Sequence, residues 1–164
     1  MPARGPDLGR LLIAVNEQRA ALNEPPWDGP VTERALGAAN LAAVAAVTSA
    51  GGAPVRAALR AAVGYTLGLM AEKAPGRAVE VRIPPFAAVQ CVPGPRHTRG
   101  TPPNVVETDA LTWLDLALGR LDWAAAAASG RLFASGPRAD ISHYLPLVVS
   151  GPQRSRKSLE LPGD

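Results

Sequence analysis

At Arg77 the spacing of apolar residues changes period, and that change limits what the chain can fold into. Before it, apolar side chains recur every three to four residues, as they do along one face of a helix. After it, Val79, Val81 and Ile83 alternate with Ala78, Glu80 and Arg82, the pattern of a strand with one buried face. A helical first half followed by mixed elements predicts an α/β protein of the α+β type. Its parts are N-terminal helices and a small β-sheet with further helices. At 164 residues there is room for one domain with a real core. The expected organisation is a helical region over 1–76, an α/β domain over 77–148 and a loose polar tail over 149–164.

Local signals place the helices. Asp7 can accept from the free N–H groups of an opening turn, and Leu8, Leu11, Leu12, Val15 and Leu22 follow at helical spacing until Pro25-Pro26. Asp28 or Thr32 can cap a second, alanine-rich helix carrying Leu36, Leu41, Val44 and Val47, which Gly51-Gly52 ends. Pro54 suits the start of a third, with Val55, Leu59, Val63, Leu67 and Met70 as its stripe and Arg56 and Arg60 facing away. Beyond the first strand, Phe86–Val92 reads as a second and Asn104–Glu107 as a short extended piece. Thr108 or Asp109 can cap one short helix and Asp122 another, ending near Gly119 and Gly130, where a positive φ is cheap. Arg131–Ser135 reads as a strand, and Asp140 as the start of a last short helix before Pro146.

Composition narrows the function classes. The net charge is +3, but the basic residues are scattered and only Arg154, Arg156 and Lys157 approach a run, which argues against nucleic-acid binding. The apolar stretches Ala35–Val47 and Ala61–Ala71 fall short of the ~20 residues that span a bilayer. The opening residues MPARGPDLGR lack an apolar leader core, so the expected location is the cytoplasm. Nearly all basic residues are Arg, and with the Ala, Gly and Pro excess this points to a high-GC bacterial genome.

The densest polar cluster is the loop Arg96-His97-Thr98-Arg99-Gly100-Thr101. Two guanidiniums can form forked bonds to a phosphate or carboxylate, and Asn104 and Glu107 lie near enough in sequence to orient them. The structural alternative is that Arg96 and Arg99 pair with Glu80, Glu107 or Asp109 and pin the loop. Cys91 and His97 could form a nucleophile and base, but a thiol in an apolar strand usually behaves as a small hydrophobe. Asp140 and His143 stand three apart, yet two histidines and one cysteine make no metal-binding array. No catalytic residue, metal ligand or cofactor site is assigned.

The stretch NVVETDALTWLDLALGRLDWAAAAASGRLFASGPRADISHYLPLV resembles the sterol carrier protein superfamily, and the preceding VEVRIPPFAAVQCVPGPRHTRGTPPNVVETD more narrowly resembles its bacterial members from high-GC organisms. The resemblance rests on the cap Asp109, on Gly119, on the helix Asp122–Ser129 and on Gly130-Arg131-Leu132 to Gly136. It covers roughly Arg77–Val148. It implies a small mixed, twisted β-sheet covered by helices on one side, with an apolar space between the layers that holds a lipid or other amphipathic small molecule. Phe86, Trp113, Leu114, Trp123 and Phe133 are the residues expected to line that space, or to fill it as ordinary core. A noncatalytic carrier is therefore expected. A structural or regulatory interaction module, including a homodimer, and an accessory to mycothiol-linked metabolism are the alternatives.

Overall fold

Among the residues that the computed structural model describes, 5–95 and 103–149, four of five helices begin at a side-chain cap. Asp7 Oδ1 accepts from the Gly9 and Arg10 amides ahead of α1 (Leu8–Ala21), and Thr32 Oγ1 from the Ala35 amide ahead of α2 (Glu33–Ser49). Asp109 does the same for α4 (Ala110–Ala117), and Asp122 for α5 (Trp123–Ala128). Each cap satisfies N–H groups that have no partner within the helix. Gly119 and Gly130 follow α4 and α5 with φ of 72° and 74°, where a side chain would be strained. The remaining helix, α3 (Arg56–Lys73), opens at Val55 without a side-chain cap; the Val55 amide donates to Gln18 Oε1 of α1 instead.

The sheet has four strands in the order β2-β1-β3-β4. The strands are β1 (Val79–Ile83), β2 (Ala87–Cys91), β3 (Val105–Thr108) and β4 (Leu132–Ser135). β1 pairs antiparallel with β2 and parallel with β3, and β3 pairs antiparallel with β4, so the sheet is mixed as expected. The α+β architecture is borne out. The alternation at Arg77 falls as the spacing predicts: Val79, Val81 and Ile83 are fully buried while Glu80 and Arg82 point to the other face.

α3 is the centre of the molecule. Ala58, Ala62, Val63, Leu67 and Met70 face the apolar side of the sheet, where Val79, Val81, Ile83, Cys91 and Val106 are all buried. Trp113 of α4 is fully buried here, and its indole Nε1 donates to Thr66 Oγ1 at 2.9 Å. On the other side α2 packs along α3, and α1 rests on both. The packing face of α1 is narrower than its leucine spacing predicts: Ala14, Val15 and Gln18 are buried, while Leu8 and Ile13 are exposed. Directional bonds supply what apolar area does not, since Asn40 Nδ2 of α2 donates to the Leu11 carbonyl at 3.0 Å. The expected last helix is a single 3-10 turn, Ser142–Tyr144, because Leu145 precedes a proline and is pushed out of helical conformation.

Candidate functional site

Of the loop residues singled out from sequence, Arg96, His97, Arg99 and Thr101 lie outside the described residues. The two roots of that loop are described. At its start Val92 has φ 69°, costly for a β-branched residue, while its carbonyl accepts from the Ala78 amide at 3.0 Å. At its end Asn104 is buried, and both ends of its amide are engaged. Nδ2 donates to the Ala78 carbonyl at 2.8 Å, and Oδ1 accepts from the Arg138 amide at 2.8 Å. Asn104 thus ties β1 to the chain beyond β4. Glu107 is exposed on the outer sheet face, where it pairs in register with Arg82 of β1. Arg82 itself bonds Glu80 at 2.8 Å, and that carboxylate raises the guanidinium's pKa further.

The five apolar candidates do not converge on one space. Trp113 and Leu114 are solid core, and Trp123 packs half-buried against it. Phe133 is 66% exposed, because the β3–β4 register pairs Val106 with Ala134 and Glu107 with Phe133, which turns the ring to the outer face. Phe86 lies at the β1–β2 turn beneath two arginines, with the guanidinium carbons of Arg56 and Arg60 at 5.1 and 5.7 Å from its ring centre.

A large hollow opens on the opposite side of α3, between α1, the start of α2 and α3, with a volume of about 1120 Å³. Ala57, Ala61, Gly64 and Gly68 of α3 recur at helical spacing along its floor. A Cβ at Gly64 or Gly68 would meet nothing within 4 Å. Leu11 and Ile13 of α1 and Leu69 of α3 add apolar walls, and the Tyr65 ring folds over Gly37. Four arginines and four carboxylates ring the opening; Arg10 pairs with Asp7 at 3.6 Å and Arg34 with Glu72 at 3.4 Å. Arg56 and Arg60 have no carboxylate within ion-pair distance among the described residues. Sequence reasoning missed this site because its floor is alanine and glycine, which carry little weight in a hydrophobic stripe. The available signal was the spacing of Ala57, Ala61, Gly64 and Gly68 along one face of α3.

A smaller hollow of about 270 Å³ lies where α2 meets α4. Arg120 spans it, ion-pairing Asp115 at 2.7 Å and donating to Ser49 Oγ, Thr48 Oγ1 and the Ala45 carbonyl. Those contacts make it a structural tie between helices.

The reactive-residue candidates are quiet. Cys91 is fully buried, and burial pushes its thiol up to about 11, far from a ready thiolate. Asp140 accepts from the Ser142 amide at 3.0 Å, and bonding to Ser142 holds its carboxyl below the usual range. His143 stacks on Tyr144 with ring centres 4.0 Å apart. Among the described residues no three His, Cys, Asp or Glu side chains gather as a metal site.

No curated protein matches the chain. Residues 55–147 match the model of the family described as "Bacterial SCP ortholog", SCP being sterol carrier protein. The match takes in all of α3 as well as the sheet, α4 and α5, and so begins earlier than the resemblance at Arg77. With its central helix, mixed sheet and capped short helices inside that span, the chain belongs to the bacterial sterol carrier protein ortholog family.

Proposed function

We propose that this protein is a noncatalytic carrier of an amphipathic small molecule, of the sterol carrier type, and that the ligand's apolar part lies in the hollow between α1 and α3. One observation carries the reading. About 1120 Å³ stands open over a floor of small residues, while the sheet side of α3 is filled by large ones such as Trp113, Leu67 and Met70. A space that size suits a drug-sized or larger ligand, since such sites run roughly 300–1,000 Å³. Family membership supports a lipid-binding role at the coarse level. The loop Arg96, His97, Arg99 and Thr101, with Glu107 close in sequence, is retained as an alternative head-group candidate. Asn104 serves that loop better as its anchor than as a ligand contact, because its amide is already occupied.

A second reading, an interaction module that docks another copy of the chain, is favoured by the open small-residue face of α3, which would let a helix approach closely. Native mass spectrometry of gently purified protein separates the two. The carrier reading expects a monomer with a small-molecule adduct, or one that takes up a fluorescent fatty acid or sterol, and expects Gly64→Leu/Gly68→Leu to abolish uptake. A ligand-free dimer that binds neither probe would overturn it.

A further inference from the structure

We infer that Arg56 and Arg60 form the head-group site of the α1–α3 hollow, and that they select a long-chain amphiphile with an anionic head over a neutral one. This assignment rests on the carrier reading above. The two residues stand four apart on α3 and both line the hollow, on the flank where its small-residue floor gives way to the sheet-facing stripe. Their guanidinium groups lie over the ring of Phe86. That ring is set by the β1–β2 turn, where the Phe86 amide donates to the Ile83 carbonyl at 2.9 Å. Stacking on a fixed ring orients a guanidinium while leaving its N–H edges free for forked bonds to an oxyanion.

Charge around the opening is uneven. At the far end Arg10 and Arg34 are matched by Asp7 and Glu72. Glu17 and Glu33 also face the hollow, and neither is within ion-pair distance of Arg56 or Arg60. The N-terminal dipole of α3 adds the same sign beside the two arginines. The small-residue floor, Ala57 to Gly68, then runs away from them along α3 toward Glu72, a length of about 16 Å at 1.5 Å per residue. A charged head at the first turn and an extended apolar chain along the floor fit that polarity.

The test is calorimetric titration of the full chain with dodecanoate, dodecanol and inorganic phosphate. It is repeated on Arg56→Gln/Arg60→Gln and on Arg96→Gln/Arg99→Gln, with thermal melts to establish that the variants fold. The expected result is dodecanoate binding at least about tenfold tighter than dodecanol, the scale of one charge-assisted hydrogen bond. The Arg56/Arg60 variant loses that preference while keeping its dodecanol affinity, and the Arg96/Arg99 variant retains it. A preference that survives in the first variant, or vanishes in the second, overturns the assignment. Phosphate binding as tightly as dodecanoate overturns it too, as a free-anion site. Equal binding of acid and alcohol by the unaltered protein overturns the head-group assignment and leaves the carrier reading standing. Binding of neither amphiphile overturns both.

Discussion

The two sides of α3 are built from the same helix and do opposite things. Toward the sheet it presents Val63, Leu67 and Met70, all buried, and meets buried Trp113 through Thr66. Toward α1 it presents Ala57, Ala61, Gly64 and Gly68, and a large volume is left unfilled. Burial of large side chains stabilises the fold at roughly 25 cal/mol per Å² of apolar surface. Small residues contribute little of that, so the open side is one the fold can do without filling. The difference separates stability from binding along one helix: substitutions on the sheet face should unfold the protein, and substitutions on the open face should change what it holds.

The strongest test of that separation is Trp113→Ala. It removes the largest fully buried side chain and leaves the Thr66 hydroxyl without its indole donor, so a loss of about 3–5 kcal/mol in urea unfolding is expected. A loss under about 1 kcal/mol, accompanied by new ligand uptake on the sheet side, would break the comparison, because core truncations of this kind rarely cost so little.

Alkaline titration sharpens it with a smaller effect. The Cys91 thiol has its folded pKa raised by burial to about 11 from an ordinary 9.0. The unfolded chain therefore releases this proton first as pH rises. Its contribution to stability is whole below pH 9 and is lost through pH 11. Unfolding midpoints should fall across that window in the unaltered protein and stay flatter in Cys91→Ala; identical profiles would mean that the sheet face admits water.

The smallest effect belongs to the open face. Gly64→Ala and Gly68→Ala add a methyl group that meets no neighbour, and each gains helix propensity, so melts should hold steady or rise by up to about 1 kcal/mol. A clear destabilisation at either position would show that the hollow closes against α3 in solution.

Much of the fold was legible because its signals are local. Asp7 and Asp122 cap where their spacing says they should, the structure selects Thr32 over Asp28 and Asp109 over Thr108, and the alternation from Val79 to Ile83 sorts the faces of β1 correctly. Phe133 was less legible, since a four-residue strand does not declare which of its faces is buried until its pairing with β3 is known. The arginine pair on Phe86 joins α3 to the β1–β2 turn, a contact that no local spacing encodes. The hollow was hidden for another reason: it is defined by the side chains that glycine and alanine lack.

The buried amide of Asn104 has a consequence for how this chain can change. With Val92 and Asn104 each bonded to Ala78, the residue just before β1, the connection between β2 and β3 starts and finishes at one fixed point of the chain. Doubling the length of such a closed loop costs only about 0.6 kcal/mol in closure entropy. The segment between those points can therefore be rewritten or extended, by evolution or by an engineer inserting a tag or a second binding module, while the sheet keeps its register.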